Sequence, residues 1–487
     1  MKLSELISVV KHEYQGDICV SDITDDSRKV TVGSLFVCIS GRETDGHNYC
    51  ESAVKNGAAA IIAEAGCATG DIGNIPVFFV SDTKVALQAL LDKFYGYPSR
   101  GMKLVAVTGT NGKTSTVTIL DAIFRRAGYK TGTIGTLSCK INNEVIAVPS
   151  SGNHSFTTPD ISTVYRILSQ MKNEGVEYVF MEASSHALAE GRLAGLKFFV
   201  GIFTNLSPEH LDYHGNMEEY FKAKSRLFDM SQIRLFNIDD KYGDLLFRVY
   251  PQSYSYGMDE RAIFSARNVE LLGESGVRYL LHGRGGSISI YSPLACEFAV
   301  YNILAAASVA LICGIMPENI ISAVRDLAGI DGRMEKITVT ENTPIVFIDY
   351  AHTPDALKNV LNSVRAFRKE GQKITVLFGC GGDRDRSKRA EMGRIATALA
   401  DLTVITSDNC RGEPPEQILR DIMKGIDKEK PHKIIPDRRT AIKFALESTP
   451  SGSIVLLCGK GHEKYEIDSS GKHPFDEASL VREVLGE

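Results

Sequence analysis

A glycine-containing loop is the clearest chemical signal in this sequence. Residues 105–116 read Val-Ala-Val-Thr-Gly-Thr-Asn-Gly-Lys-Thr-Ser-Thr, a β-branched run followed by two glycines and a helical pattern. Gly109 and Gly112 let the backbone turn tightly with its N–H groups pointing inward, and a helix that begins near Lys113 adds the positive end of its dipole. Lys113 suits the outer phosphates of a nucleotide, and Thr114 suits the magnesium that accompanies them. The pattern therefore predicts a phosphate-binding loop of the shortened form Gly-x-x-Gly-Lys-Thr, rather than a strand–turn–helix corner with a solvated lysine.

Polar side chains follow two buried strand patterns of the middle region. Glu182 and Ser184 come directly after the apolar run 178–181, and residues 204–215 follow the run 198–203. The carboxyl ends of parallel strands face the ligand crevice of an open α/β sheet. Glu182 is therefore a candidate ligand of a nucleotide-bound magnesium, with a helix cap or a salt-bridge partner as equal alternatives.

Three further residues of this region carry less information on their own. His210 and His214 are possible metal ligands, but oxygen-rich magnesium sites seldom include imidazole, so that role stays open. Lys224 lies on an amphipathic helical pattern, where a single lysine is usually a solvated side chain.

The last third of the chain has four polar clusters at the ends of strand patterns. Runs at 345–352, 374–379 and 454–459 begin apolar, end polar or glycine-rich, and alternate with helical patterns, which is typical of a Rossmann-like domain. One charged run is usually a solvated surface, but four at strand ends favour a binding crevice. The clusters are Asp349 with His352, residues 381–389, residues 408–411 and residues 459–463.

Length and patterning predict an α/β protein of about three domains, because 487 residues exceed what one hydrophobic core can organise. A helix-breaking segment at 95–101 marks the first boundary. A phosphate loop in one α/β domain and mixed acidic and basic clusters in the next suit the activation of a carboxylate by ATP. The predicted domains are a small N-terminal α/β substrate domain over 1–100, a central P-loop ATPase-like domain with a parallel sheet over 101–330, and a C-terminal Rossmann-like domain over 331–487.

Composition narrows the class of protein and its compartment. The net charge of −5 and the isoelectric point near 6.2 argue against a broad nucleic-acid-binding surface. The ten cysteines form no Cys-x-x-Cys pair, which is typical of buried thiols in a reducing compartment. Since the sequence has no signal-peptide pattern and no apolar run of about 20 residues, we expect a cytoplasmic protein without membrane insertion.

The ordered set of motifs resembles the Mur ligases, the amino-acid ligases of bacterial cell-wall synthesis. No single motif is decisive, but together they span nearly the whole chain in the order typical of that family. The motifs lie at residues 108–114, 157–159, 182–186, 204–215, 332–335, 349–354, 379–389 and 459–463.

The resemblance implies a three-domain enzyme that uses ATP and Mg²⁺ to join an amino acid to UDP-N-acetylmuramoyl-L-alanyl-D-glutamate. The γ-phosphoryl group of ATP would pass to the terminal carboxylate of that substrate, and the amine of the amino acid would displace phosphate from the acyl phosphate. The resemblance also reverses the interpretation of Lys224, which matches the lysine that the family carbamylates.

Each substrate and the metal has an implied set of residues. For ATP they are Gly109, Thr110, Asn111, Gly112, Lys113, Thr114, Ser115, Asn302, Arg333 and Asp349. For the UDP-muramoyl substrate they are Ser27, Arg42, Glu43, Thr44, Thr157, Thr158, Ser184, Glu190 and Arg192. For magnesium they are Thr114, Glu182, His210 and Lys224, and for catalysis Lys113, Lys224 and His210. For the amino acid they are Arg389, Asp408, Asn409, Arg411, Gly459 and Glu463.

The segment from Asp408 to Arg411 indicates which amino acid is added. In the family, Asp-Asn-Pro-Arg at this place marks meso-diaminopimelate, and the Arg411 guanidinium can bind a distal carboxylate that lysine lacks. Glu463 suits the distal ammonium. Cys410 replaces the family proline, which loosens the loop by removing a fixed φ but keeps the guanidinium. We therefore predict meso-diaminopimelate as the amino acid.

Three further departures from the family pattern, at residues 294–298, Ser387 and Glu190, keep other assignments open. The alternatives are a ligase of the same class that adds L-lysine or another amino acid, a paralogue that acts on another carboxylate, and a nucleotide-binding paralogue without ligase activity. The resemblance implies no oligomeric state.

Overall fold

The computed structural model describes residues 1–41, 44–147, 157–337 and 343–486 of an α/β protein. Its backbone forms two compact units, each built from several stretches of the chain. The first unit comprises Met1–Thr108, Tyr129–Gly201 and Lys222–Arg234. The second unit comprises Gly109–Gly128, Ile202–Phe221 and Leu235–Glu487. The domain boundaries at residues 100 and 330 stay a prediction.

The first unit contains two sets of hydrogen-bonded strands. They are β1 (Asp22–Thr24), β2 (Ser34–Val37), β3 (Ala60–Glu64), β4 (Val77–Val80), β5 (Lys103–Thr108), β6 (Thr131–Ile134), β7 (Lys140–Ile141), β8 (Glu144–Val145) and β9 (Tyr178–Glu182). One sheet has the order β1-β2-β3-β4 and is parallel throughout. In the other set, β9 pairs in parallel with β5 and β6, and β7 and β8 continue from β6 antiparallel. Strands β5 and β9 are buried almost end to end, as expected of parallel strands covered on both faces.

The second unit contains the remaining strands, apart from β10 (Phe198–Phe203) and β11 (Ser231–Asn237), which have residues in both units. They are β12 (Tyr254–Gly257), β13 (Phe264–Leu271), β14 (Val277–Gly283), β15 (Gly286–Ser292), β16 (Glu335–Ile337), β17 (Ile345–Asp349), β18 (Ile374–Phe378), β19 (Leu402–Ile405), β20 (His432–Ile434), β21 (Ile454–Cys458), β22 (Tyr465–Asp468) and β23 (Gly471–Pro474). Strands β11, β12 and β13 pair in parallel, and β14 and β15 follow antiparallel. Strands β22 and β23 form a separate hairpin.

Sixteen α-helices connect these strands in the part of the chain that the structure describes. They are α1 (Leu3–Ile7), α2 (Cys50–Lys55), α3 (Thr83–Phe94), α4 (Lys113–Arg126), α5 (Ile161–Asn173), α6 (Ser185–Glu190), α7 (Leu211–His214), α8 (Met217–Asp229), α9 (Lys241–Val249), α10 (Glu297–Ile312), α11 (Pro317–Arg325), α12 (Pro354–Phe367), α13 (Lys388–Leu399), α14 (Pro415–Met423), α15 (Arg438–Ser448) and α16 (Glu477–Leu485). Short 3₁₀ turns lie at Ser8–Val10, Ser27–Lys29, Gly46–Tyr49 and Gly273–Ser275. Aspartates begin several helices, because a carboxylate at the N-cap accepts backbone N–H groups that have no partner within the helix; Asp82, Asp160 and Asp437 do so for α3, α5 and α15.

The six-stranded sheet of the second unit has the order β16-β17-β21-β18-β19-β20, and only β16 is antiparallel to its neighbour. Successive residues of β18 point to opposite faces, so Val376 packs in one hydrophobic cluster and Leu377 in the other. Helices α12, α13 and α14 contribute to the first cluster, and α15 and α16 to the second. The predicted Rossmann-like layering is present, and the ends of β17, β18, β19 and β21 lead into the four polar clusters.

The strands predicted from apolar runs are confirmed, but the region 264–292 differs from its prediction. The sequence pattern predicts alternating strands and helices up to residue 330, whereas β13, β14 and β15 form an antiparallel meander. The exposed-buried alternation of β14 explains the error, because a half-exposed strand leaves no continuous apolar run.

Two expectations from composition have a structural counterpart. Seven of the ten cysteines are buried, at positions 38, 50, 139, 296, 380, 410 and 458. Within the described ranges, no helix is long and apolar enough to cross a membrane.

A buried ion pair ties the six-stranded sheet to α15 and α16. Arg438 Nε donates to Glu477 Oε1 at 2.7 Å, and both side chains are at most 1% exposed. We expect Glu477→Gln to lower the free energy of unfolding by about 3–5 kcal/mol, because the guanidinium loses its buried counter-charge. Urea unfolding measures the loss. The matched control is Glu483→Gln, whose surface contact with Arg439 at 3.9 Å contributes at most about 1 kcal/mol; an equal loss in both variants would contradict the account.

Candidate active site

The phosphate loop is shaped by two glycines that no other residue can replace without displacement. Gly109 has φ +149°, and a Cβ there would lie 1.9 Å from Thr204 Oγ1. Gly112 has φ +86°, and a Cβ there would lie 2.5 Å from Asn302 Oδ1. The backbone of the loop therefore packs closely against Thr204 and Asn302, as is typical of a glycine-containing phosphate-binding loop.

Lys113 folds back over this loop at the start of α4. Its Nζ donates to the carbonyl oxygens of Gly109 at 2.9 Å and Thr110 at 2.7 Å. The backbone of Asn111 is fixed as well, because its N–H donates to Asn205 Oδ1 at 2.9 Å. These contacts contradict the alternative of a solvated lysine and place the ammonium over the turn.

Two of the predicted ATP residues outside the loop also lie beside it. Thr116 Oγ1 is 3.5 Å from Asn302 Oδ1, at the limit of a hydrogen bond. Arg333 Nη2 donates to Thr114 Oγ1 at 3.3 Å. The structure therefore brings Asn302 and Arg333 to the first turn of α4.

Asp349 supports Arg333 through the backbone. Its carboxylate accepts from the N–H groups of Met334 at 2.7 Å and Ala351 at 2.9 Å. Burial raises the pKa of Asp349, although the Arg333 guanidinium and these N–H groups oppose the shift. Asp349 thus fixes the backbone next to Arg333.

Glu209 is a charged residue near the loop, and the sequence pattern alone predicts no role for it. Its carboxylate lies 3.6 Å from His352 Nε2 and 3.8 Å from His210 Nε2. Burial opposes its ionisation, but His352, His210 and Lys113 together hold the pKa of Glu209 well below its usual range. Glu209 therefore stays anionic beside the predicted catalytic His210.

In the first unit, Glu182 ends β9 and is 1% exposed. Thr136 donates to both of its carboxylate oxygens, from N to Oε1 at 2.8 Å and from Oγ1 to Oε2 at 3.1 Å. Gly135 allows this approach, since a Cβ there would lie 2.4 Å from Glu182 Oε1. The orientation of the carboxylate is thus set by Thr136.

The residues predicted for the UDP-muramoyl substrate form a connected polar group around Thr158. Thr158 Oγ1 donates to Ser184 Oγ at 3.3 Å, and Arg192 Nη1 donates to the Thr158 carbonyl at 3.0 Å. Arg192 Nε also donates to Glu190 Oε2 at 2.8 Å. Thr157 is next to Thr158 in the chain, and its Oγ1 lies 3.2 Å from Thr136 Oγ1.

Ser27 lies near the same group, since its 3₁₀ turn Ser27–Lys29 is tied to the N-cap of α5. Lys29 Nζ donates to Asp160 Oδ2 at 2.9 Å. Thr44 is exposed. The other two predicted contacts of this substrate, Arg42 and Glu43, lie outside the described residues.

Lys224 is 2% exposed on α8. The interpretation of a solvated lysine, drawn from the helical pattern alone, is therefore wrong. Its burial is unusual, because lysine is almost never fully buried unless it is paired or modified.

The four predicted magnesium ligands are divided between the units. Thr114 and His210 belong to the second unit, and Glu182 and Lys224 to the first. In the described part of the chain, no group of three or more His, Cys, Asp or Glu side chains is arranged to hold a metal ion. Since the predicted set contains only one carboxylate and one imidazole, it stays a prediction.

The predicted amino-acid residues at the ends of β19 and β21 are brought together. Asn409 Nδ2 donates to Glu463 Oε2 at 2.7 Å. Gly459 has φ +114°, and a Cβ there would lie 2.7 Å from Asp408 Oδ2. Asp408, Asn409, Gly459 and Glu463 therefore form one cluster.

Arg389 lies at 0% exposure and is held by carboxylates of its own unit. It donates to Glu413 through Nη1 at 2.8 Å and Nη2 at 2.7 Å, and to Asp421 at 3.1 Å. These contacts lower the pKa of Glu413 to about 2. Its predicted contact with the amino acid stays a prediction.

Arg411 stands in a loop that is well fixed although Cys410 replaces proline. Arg411 N–H donates to the Ile467 carbonyl at 3.0 Å, and its Nη1 donates to the Gly382 carbonyl at 2.9 Å. Arg384 lies beside it, and its pKa is lowered by burial and by the Arg411 guanidinium. These hydrogen bonds restrict the loop, which has no proline at position 410. The two adjacent guanidinium groups favour the binding of an anion.

Matches to three family models cover most of the chain. Residues 20–95 match "Mur ligase family, catalytic domain", residues 107–310 match "Mur ligase middle domain", and residues 332–461 match "Mur ligase, glutamate ligase domain".

Full-length relatives point the same way. A protein of Geobacillus kaustophilus named UDP-N-acetylmuramoyl-L-alanyl-D-glutamate--2,6-diaminopimelate ligase is 40% identical over 100% of this chain and 100% of its own length. The chain belongs to the Mur ligase family. A protein of the same name from Bacillus velezensis is also 40% identical, over 100% of this chain and 99% of its own. A solved structure of a ligase with that name is 31% identical, covers 100% of this Mur ligase and 99% of its own chain, and has a TM-score of 0.69.

Membership of the Mur ligases makes this protein an ATP-dependent ligase that forms an amide bond. The phosphate loop and the clusters at the strand ends are then parts of one ligase. Three charged residues of these regions, Glu209, Arg384 and Lys460, had no individual role in the sequence analysis. A charged residue within a polar run gives no signal of burial, so only the fold reveals them.

The glycine at position 109 gives a direct test of the loop. We expect Gly109→Ala to weaken binding of a fluorescent ATP analogue by at least about ten-fold, because the added Cβ collides with Thr204 and strains the backbone. Gly128→Ala is the matched control, since Gly128 has φ +90° but open space around it. Unchanged nucleotide affinity in Gly109→Ala would refute this role of the loop.

Proposed function

We propose that this Mur ligase adds meso-diaminopimelate to UDP-N-acetylmuramoyl-L-alanyl-D-glutamate in peptidoglycan synthesis. The observation that carries the proposal is the presence of opposite charges at one end of the sheet: the Glu463 carboxylate is bound to Asn409, and the Arg411 guanidinium lies two residues further along the chain. Both charges act on Tyr465: burial and Glu463 raise its pKa to about 12, while Arg411 opposes the shift. An anion for the distal ammonium and a cation for the distal carboxylate match diaminopimelate, whereas lysine has no distal carboxylate. The names of the full-length relatives support the same acceptor.

The reaction first brings together two anions, ATP and the substrate carboxylate, and then forms an amide. An oxygen of the substrate carboxylate attacks the γ-phosphorus of ATP and ADP leaves; the amine then attacks the acyl carbon, and phosphate leaves with that oxygen. In our proposal Lys113 and Arg333 neutralise the phosphates, and the loop N–H groups hold them in line. In the same proposal, Asn302 and Asp349 help to position ATP.

Magnesium suits the oxygen donors in the predicted set. Thr114 offers a hydroxyl at the start of α4, and Glu182 offers a carboxylate that Thr136 orients. Bound there, magnesium would supply positive charge to the phosphate oxygens. We propose that the buried Lys224 carries a carbamate, because that modification replaces a buried cation with an anionic oxygen ligand, and that His210 completes the set.

The polar group around Thr158 is the proposed site for the peptide end of the UDP-linked substrate. Ser184, Glu190 and Arg192 provide a hydroxyl, a carboxylate and a guanidinium there. Ser27 and the loop that contains Arg42, Glu43 and Thr44 are the proposed contacts of the UDP-muramoyl end. We propose that the enzyme is cytoplasmic, because its cysteines form no Cys-x-x-Cys pair and seven of the ten are buried free thiols, as is typical of a reducing compartment.

An amino-acid panel tests the function. The enzyme is incubated with ATP, Mg²⁺ and the UDP-muramoyl dipeptide, and phosphate release is followed with meso-diaminopimelate, L-lysine or other amino acids. Release that requires meso-diaminopimelate supports the proposal. Faster release with lysine would overturn the acceptor, and nucleotide binding without release in any mixture would favour an inactive paralogue.

Arg411 separates the two diamino acids. We expect Arg411→Ala to raise the KM for meso-diaminopimelate about 10- to 100-fold, because the distal carboxylate loses charge-assisted hydrogen bonds. The slow reaction with lysine should not change. Arg420→Ala is the matched control, since Arg420 is exposed on α14 and contacts only Gln417 among the described residues. Equal losses with both amino acids would contradict carboxylate recognition by Arg411.

A further inference from the structure

Lys460 is a fully buried charge inside the amino-acid cluster. Its side chain is 0% exposed, and its Nζ donates to Asn409 Oδ1 at 2.9 Å. The same ammonium lies 3.9 Å from a carboxylate oxygen of Asp408 and 3.9 Å from one of Glu463. The positive charge of this buried lysine therefore lies between two carboxylates and an amide oxygen.

The contacts of Lys460 decide which way the Asn409 amide faces. An ammonium only donates hydrogen bonds, so the atom that faces it must be the amide oxygen. The backbone N–H of Ile467 donates to the same Oδ1 at 3.0 Å, which fixes that choice. The amide nitrogen then points to Glu463 Oε2, at 2.7 Å.

Lys460 also compensates two carboxylates that are close together and largely buried. Burial and Asp408 raise the pKa of Glu463, and Lys460 opposes that rise. Burial opposes the ionisation of Asp408, but Lys460 and Arg438 hold its pKa below the usual value. Without the ammonium, both effects push Glu463 toward its neutral form.

We infer that Lys460 is a positioning residue for the acceptor amino acid, which orients Glu463 through Asn409 and keeps it anionic for the distal ammonium of a diamino acid. The inference rests on the proposed function, since it assigns Glu463 to that ammonium. Lys460 itself does not touch the amino acid in this account. Among the described residues, the charged and titratable groups that act on Glu463 are Asp408, Lys460 and His352, and the phenols of Tyr350 and Tyr465 also face it.

A double-mutant cycle tests the inference in the full-length enzyme. We expect Lys460→Met to raise the KM for meso-diaminopimelate by at least about ten-fold, with the KM values for ATP and the UDP-linked substrate within about two-fold of wild type. In the Glu463→Gln background the same change should add less than about two-fold, because position 463 then has no carboxylate for Lys460 to keep anionic. A merely structural lysine would have equal effects in both backgrounds, which would overturn the inference.

The pH profile gives a second readout. Binding of the distal ammonium requires ionised Glu463, so it is lost as the pH falls through the pKa of Glu463. Since Lys460→Met raises that pKa further, the rise in KM should begin at a higher pH than in wild type. An unshifted profile would overturn the inference. Lys464→Met is the matched control, because Lys464 is 77% exposed and pairs only with Asp476 among the described residues.

A second variant and the activity of the wild-type enzyme separate a failure of the inference from a folding defect and from a failure of the proposed function. If Lys460→Met fails to fold, Lys460→Gln removes the charge but keeps a hydrogen-bond donor near Asn409 Oδ1, and it should raise the KM for meso-diaminopimelate in the otherwise wild-type enzyme but not in the Glu463→Gln background. A wild-type enzyme that accepts no diamino acid overturns the proposed function together with the inference. A wild-type enzyme that accepts meso-diaminopimelate with an additive cycle overturns the inference alone.

Discussion

Charged groups that leave water need counter-charges or hydrogen bonds, and the six-stranded sheet of the second unit is arranged around that requirement. Arg438 is fully buried against Glu477 and also donates to the carbonyls of Ser407 at 3.1 Å and Cys458 at 2.9 Å. Those carbonyls belong to the residues just before Asp408 and Gly459. The compensation of one buried cation therefore fixes the ends of two strands that carry the amino-acid cluster.

In our proposal the same requirement applies to the phosphate loop, where the charge comes from the substrates. A triphosphate and a carboxylate repel each other, and we propose that the loop N–H groups, the N-terminus of α4 and the Lys113 ammonium offset this repulsion. His352, His210 and Lys113 lower the pKa of Glu209, so the positive charge near the loop has an anionic partner. The proposed chemistry is therefore the positioning of the substrates and the neutralisation of their charges.

Local sequence patterns predicted the elements whose formation depends mainly on neighbouring residues in the chain. Continuous apolar runs identified β9, β10, β17, β18 and β21, and Gly-x-x-Gly-Lys-Thr identified the phosphate loop. The exposure and the hydrogen-bond partners of a side chain depend on residues that are distant in the sequence. The burial of Lys224 and Lys460 could therefore not be predicted from their own segments. The meander β13–β15 was missed for a related reason, because its half-exposed strands lack the apolar signal. The effect of Cys410 in place of proline stays a prediction, and the loop has hydrogen bonds from Arg411 to the carbonyls of Gly382 and Ile467.

An isotope experiment tests most directly whether this Mur ligase activates a carboxylate by phosphoryl transfer. The UDP-muramoyl dipeptide is labelled with ¹⁸O in both oxygens of the terminal carboxylate and converted with ATP, Mg²⁺ and meso-diaminopimelate, and the released phosphate is examined by mass spectrometry. An acyl phosphate intermediate predicts one ¹⁸O atom in each phosphate released. Phosphate without ¹⁸O would contradict the account.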